Sequence, residues 1–204
     1  MLSRNDAVLV VVDVQERLLP HIHESESVVR QCVRLIRGFH ILGAPILVTE
    51  QYRKGIGPTD DRIIDAVLHP QSVEEPLPPV REPGSFEAPP VPAAFQPIEK
   101  MSFSCSEHPP FLDALAATKR RQVLLCGIET HVCVLQTALH LKERDYEVYL
   151  AADAVSSRAP RNVEIALRRM EQAGVWLTTV EMGIFEMLEC SGTPELKRWS
   201  RQIR

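Results

Sequence analysis

Apolar residues follow two patterns along this chain: short unbroken runs, and longer segments with apolar positions three or four apart. Residues 7–12 read Ala-Val-Leu-Val-Val-Val with no polar position. A run without alternation predicts a strand buried on both faces. It ends in Asp13-Val14-Gln15, which sets Asp13 at the strand's carboxyl end. Residues 25–42 then place Val28, Val29, Cys32, Val33, Ile36 and Phe39 at helical spacing, and Gly43 closes that helix. The same reading gives a second strand at 45–49, a polar, glycine-containing loop at 50–59 and a short helix at 60–68. A short third strand at 96–100 puts Lys100 at its carboxyl end. A helix at 110–118, strands at 122–126 and 147–151, a helix at 161–173 ended by Gly174, a strand at 175–179 and two short helices complete the pattern.

The most informative stretch is Val123-Leu124-Leu125-Cys126-Gly127-Ile128-Glu129-Thr130-His131-Val132-Cys133. Strand, tight turn and helix are compressed into these residues. Gly127 permits the turn, Thr130 can cap the helix, and the helix then runs to about Arg144. Cys133 falls in its first turn, where unpaired N–H groups and the positive end of the helix dipole favour a thiolate and can hold an oxyanion. A buried cysteine that simply packs as a small hydrophobe is the plain alternative.

Strands alternating with helices mean right-handed βαβ units. The fold class is α/β, with three αβα layers, a parallel sheet and helices on both faces. In such sheets ligands bind outside the carboxyl ends of the strands, where strand order reverses. Asp13, Lys100 and Cys133 each fall at or just beyond such an end, so all three can converge on one edge. If the first and fourth strands are neighbours, Asp13 faces Cys133.

Composition narrows the partners. At 204 residues, with 45% hydrophobic and 25% charged content, the chain is expected to form a single domain over 1–204. A net charge of −4 without a dense Lys/Arg run argues against nucleic acid. No apolar span is long enough for a membrane helix, and the first residues lead straight into a strand without signal-peptide architecture. The five cysteines (32, 105, 126, 133 and 190) are odd in number and dispersed, unlike a disulfide framework or a zinc site, so a reducing cytoplasm is expected. Residues 70–97 hold nine of the sixteen prolines, which excludes a regular helix or central strand there. With Phe86 and Phe95 present, this insertion reads as an extended arm packed on the surface or on a neighbouring subunit rather than as plain disorder, and it can wall the active site.

A cysteine nucleophile must lose a proton, and its leaving group must gain one. Asp13 can accept that proton, and Lys100 can stabilise the thiolate and position Asp13. Each has a plainer role available, Asp13 as a turn cap and Lys100 as a solvated lysine. His131 is a rival base, though a two-residue helical spacing from Cys133 points the side chains apart.

At this point the residues resemble a family. Asp13-x-Gln15, the lysine in Glu99-Lys100-Met101-Ser102-Phe103-Ser104, and Gly127-Ile128-Glu129-Thr130-His131-Val132-Cys133 look like the three signatures of the isochorismatase-like cysteine hydrolases. Glu50-Gln51-Tyr52 with Gly55-x-Gly57-Pro58-Thr59, and Asp153-Ala154-Val155-Ser156-Ser157-Arg158, are similar to its isochorismatase domain-containing branch. The resemblance runs from about residue 6 to 190. It implies a six-stranded parallel sheet ordered 3-2-1-4-5-6. It makes Cys133 the nucleophile, Asp13 the general base and Lys100 its electrostatic partner. It also implies a cis peptide at Ile128–Glu129 that aims the N–H of Glu129, with that of Cys133, at the oxyanion. Family nicotinamidases carry an Asp-x-His metal site where this chain reads Glu50-Gln51-Tyr52, so no metal and no cofactor are expected. True isochorismatases lack the cysteine, so Cys133 points to C–N hydrolysis through a thioester.

The expectation is therefore a metal-independent cysteine amidohydrolase acting on a small-molecule amide, with Gln15, Tyr52, Phe103 and Ile128 as possible pocket residues. It is expected to be a homo-oligomer, dimer or larger. Two other readings stand beside it. One is a non-catalytic binding or scaffold protein that keeps the fold. The other is a redox role for Cys133 with Cys126 or Cys105 as resolving thiol.

Overall fold

The computed structural model describes residues 1–69, 79 and 92–203. Its six strands are β1 (Ala7–Val12), β2 (Ile46–Gln51), β3 (Ile98–Lys100), β4 (Gln122–Ile128), β5 (Glu147–Ser156) and β6 (Trp176–Thr178). They form one sheet in the order β3-β2-β1-β4-β5-β6, with every pairing parallel. The order reverses between β1 and β4, where Val12 lies opposite Gly127.

The run at 7–12 supplies both cores because a strand's side chains alternate between faces. Ala7, Leu9 and Val11 pack on one side, with Leu124, Cys126 and Ile128 of β4. That side is covered by α1 (Ser25–Leu42), α3 (Asp61–Leu68), α7 (Val180–Leu188) and α8 (Pro194–Trp199), through residues such as Phe39, Ile63, Ile184 and Trp199. Val8, Val10 and Val12 pack on the other side, with Val123 and Leu125. There α4 (Pro109–Ala117), α5 (Leu135–Glu143) and α6 (Pro160–Gln172) contribute Phe111, Leu115, Leu141 and Met170. The layers are those the alternation predicts.

Three local readings change. A single-turn helix, α2 (Arg53–Ile56), stands where the sequence reads as loop. The fifth strand continues to Ser156, past the expected end at 151. Its register shifts on the way: Leu125 pairs with Leu150, but Gly127 pairs with Val155. The bulge absorbs small and polar residues that break the apolar pattern. Thr130 does not cap a helix. Glu129 holds the cap position with no side-chain bond to it, and the buried Thr130 hydroxyl has no hydrogen-bond partner among the described residues.

Most of the proline-rich stretch expected to form an arm, residues 70–78 and 80–91, lies outside the described residues. Its end is described: Phe95 is buried and belongs to the core on the α1 and α3 side of the sheet.

Candidate active site

β1 delivers Asp13 in a left-handed conformation, φ 50°. Side chains rarely adopt it, so the surroundings must hold it there. Thr49 does so from β2, its carbonyl accepting from Asp13 N at 3.3 Å and its hydroxyl donating to Oδ1 at 2.7 Å. Oδ2 accepts from Lys100 Nζ at 2.7 Å, with both side chains fully buried. The Lys100 ammonium also donates to Gln51 Oε1 at 2.9 Å and to the carbonyls of Phe103 (3.0 Å) and Ser102 (3.3 Å). A lysine so deep needs this many acceptors to stay charged. Burial alone would lower its pKa, but Asp13, with smaller help from Cys105 and Cys133, raises it above the usual lysine value.

β4 delivers Cys133. Gly127 has φ +111°, and a Cβ there would lie 2.1 Å from the Val12 carbonyl oxygen. Only glycine lets β4 pass β1 this closely. The Ile128–Glu129 peptide is cis. Thr130–Val134 then forms a π-helical turn, in which the Glu129 carbonyl accepts from Val132 N (3.1 Å) and Val134 N (3.2 Å), the two residues flanking Cys133. Cys133 is buried close enough to Asp13 for the carboxylate to act on its thiol.

The charge state of this thiol departs from the sequence expectation. Desolvation and the negative Asp13 push the Cys133 thiol well above its ordinary range, against a smaller downward pull from Lys100. A thiolate favoured by the helix terminus is overridden by burial beside a carboxylate. The resting pair is therefore a neutral thiol beside a lysine-paired carboxylate, suited to moving the proton as the sulfur attacks.

The other expected residues are placed as follows. Gln15 is buried and structural: its amide donates to the carbonyls of Gln51 and Gly57 and accepts from Gln51 N. Ile128 is a core side chain, so neither it nor Gln15 offers an open pocket wall. Tyr52 and Phe103 are exposed at the carboxyl ends of β2 and β3. His131 turns away, its Nδ1 at 3.0 Å from Ser157 Oγ and its Nε2 at 3.3 Å from Asn162 Nδ2. The Glu129 carboxylate accepts from both N and Nε of Arg158 at 3.0 Å. Cys126 lies across the sheet from Cys133, where it interacts with Cys32, which removes it as a resolving thiol. Cys105 shares the Cys133 face, and burial pushes its thiol up to about 11. The part of the site that the sequence does not single out is Thr49, a residue that reads as ordinary strand.

The segment Glu50-Gln51-Tyr52 is committed elsewhere. Glu50 Oε1 takes the Thr59 N–H at 2.7 Å and its hydroxyl at 2.8 Å, while Oε2 pairs with Arg53 at 3.4 Å. Gln51 Oε1 takes Lys100. This donor set does not fit a metal site. A cavity of about 460 Å³ opens away from this cluster, between α1, β5 and α6, and is lined by residues such as Ser27, Asp153 and Leu167.

A doubly wound sheet with an Asp–Lys pair facing a cysteine at its switch point defines a hydrolase fold, and the sequence comparisons agree. The chain belongs to the isochorismatase family, whose domain model matches residues 7–182. It is 34% identical to the secreted isochorismatase effector Isc1 of Phytophthora sojae, covering 98% of this chain and 85% of that protein. It is also 34% identical to isochorismatase domain-containing protein 2 of Danio rerio, covering 96% and 86%. Among solved structures, the MAR1 ribonuclease of Caenorhabditis elegans superposes with a TM-score of 0.81 at 34% identity, covering 99% of this chain and 91% of that one. The YcaC gene product of Escherichia coli, described as an octameric hydrolase of unknown specificity, shares the fold with a TM-score of 0.81 at 22% identity, covering 99% and 90%.

Proposed function

We propose that this chain is a single-domain, metal-independent cysteine amidohydrolase acting on a small-molecule amide. The observation that carries the reading is the buried Lys100–Asp13 ion pair at 2.7 Å, with the Cys133 thiol near enough to feel the same carboxylate. Cys133 Sγ attacks the amide carbonyl as its proton passes to Asp13. The N–H groups of Glu129 and Cys133 hold the developing oxyanion. Asp13 returns the proton to the departing amine or ammonia, leaving a thioester on Cys133. Water then attacks the thioester while Asp13 takes its proton, the acid leaves, and the thiol is restored. Lys100 holds the carboxylate through Oδ2 during each transfer. Independence from metal is supported by the prior commitments of Glu50 and Gln51. A reducing compartment is supported by five free thiols, although the Phytophthora relative is named a secreted effector.

The test is a screen of small amides for ammonia or amine release, with a chelator arm and an RNA arm, the latter because a relative is named a ribonuclease. Turnover by wild type, insensitive to chelator and absent in Cys133→Ala, is the expected result. Equal behaviour of wild type and Cys133→Ala on every amide would leave the scaffold reading in possession of the fold.

A further inference from the structure

Thr49 sits in the middle of a buried strand whose preceding residues are Ile46, Leu47 and Val48. Valine would fill the same space, and a hydroxyl in such a position is costly unless it is bonded. This one has two partners. It donates to Asp13 Oδ1 at 2.7 Å and accepts from the Cys105 thiol at 3.8 Å. The Thr49 carbonyl also accepts from Asp13 N. Asp13 is thus gripped at main chain and side chain by the same residue, while Lys100 holds the other carboxylate oxygen. With one donor on each oxygen, the carboxylate plane cannot turn.

Cys105 extends the grip across the switch point. Its N–H donates to the Thr137 hydroxyl on α5 at 2.9 Å, and α5 continues directly from the turn that carries Cys133. A chain of bonds therefore runs from the helix behind the nucleophile, through Cys105 and Thr49, to the carboxylate that faces the thiol.

We infer that Thr49 is a positioning residue for proton transfer from Cys133 to Asp13, with Cys105 orienting its hydroxyl. The inference rests on the hydrolase reading above. During attack the Cys133 S–H bond breaks, the proton bonds to Asp13, and the sulfur lone pair forms the bond to the carbonyl carbon. Thr49 keeps its own proton throughout and holds the acceptor in line.

The probe is p-nitrophenyl acetate, whose acyl transfer to Cys133 releases p-nitrophenolate in a burst and leaves an acetyl group on the residue. Burst rates are read from about pH 6 to about pH 9 for wild type, Thr49→Val, Thr49→Ser and Cys105→Ala, beside thermal unfolding of each. Thr49→Val is expected to slow acylation about tenfold at about pH 7, equivalent to roughly 1.4 kcal/mol, and to move the rate limb to higher pH. Thr49→Ser, which keeps the hydroxyl, is expected to retain the wild-type profile, and Cys105→Ala to fall between. A Thr49→Val profile that overlays wild type overturns the inference and leaves the hydrolase reading intact. Equal slowing in the valine and serine variants, in step with lowered unfolding midpoints, also overturns it, since the role would then be packing. Absence of a Cys133 burst in wild type removes the hydrolase reading itself.

Discussion

Asp13 pulls the chemistry of Cys133 in two directions. Burial and its charge oppose thiolate formation, yet the same carboxylate is the proton acceptor in the mechanism proposed above. The two effects separate experimentally. Replacing Asp13 by asparagine removes the like charge, so the pH at which iodoacetamide labels Cys133 is expected to fall while acylation is lost. Lys100→Ala removes the opposing pull, so the labelling pH is expected to rise, with destabilisation of about 3 kcal/mol from the carboxylate left buried and alone. Labelling read site by site by mass spectrometry checks both. Movement of the two variants in the same direction would contradict the charge balance described. Asp13 and Cys133 are legible in the sequence because each ends or follows an apolar run, whereas Lys100, after Gln96-Pro97-Ile98-Glu99, is legible chiefly through the family resemblance. The thiol's charge state is not, because it depends on how deeply the turn is buried, and helix-terminus arguments carry no information on depth.

Elements set how close these residues come. The approach of β4 to β1 depends on Gly127, where an added methyl group would meet Val12 backbone atoms at 2.1–2.9 Å. Backbone cannot give way as a flexible side chain can, and φ +111° is unsuited to any residue with a Cβ. Gly127→Ala is expected to cost about 3 kcal/mol or more, read as a lower urea midpoint, with Cys133 acylation lost in whatever protein remains folded. An unchanged midpoint would show that the two strands separate readily. The central strands β1 and β4 are legible because fully buried parallel strands announce themselves as unbroken apolar runs, while the short edge strands β3 (Ile98–Lys100) and β6 (Trp176–Thr178) carry a weaker signal. The extension of β5 through Asp153 to Ser156 and the π-helical turn at Thr130–Val134 are not, because both are set by hydrogen bonds to neighbouring elements rather than by local periodicity. Thr49 is hidden for the same reason, since its partners are distant in sequence.

At the scale of the whole molecule, large apolar side chains remain in solvent. Trp176 is 62% exposed on the edge strand β6, with Met182 and Phe185 exposed on the following helix α7. Apolar area of this kind marks association surfaces when it is contiguous. We predict a homo-oligomer, dimer or larger, at micromolar concentration, to be measured by sedimentation velocity. A monomer across that range would overturn it.

The switch point between β1 and β4 divides the sheet into two halves, and the reacting groups are divided with it. Asp13, Thr49 and Lys100 come from β1, β2 and β3, while Cys133 hangs from the end of β4. The thiol lies in one half and the carboxylate, with its partners Thr49 and Lys100, in the other. Acyl transfer therefore acts as a gauge of the seam. A slip of an ångström between the halves would change the distance from thiol to carboxylate and would also strain both cores, because Leu9 and Leu124 share one and Val10 and Leu125 the other. Under the hydrolase reading proposed above, activity and the packing of the seam are expected to fail together.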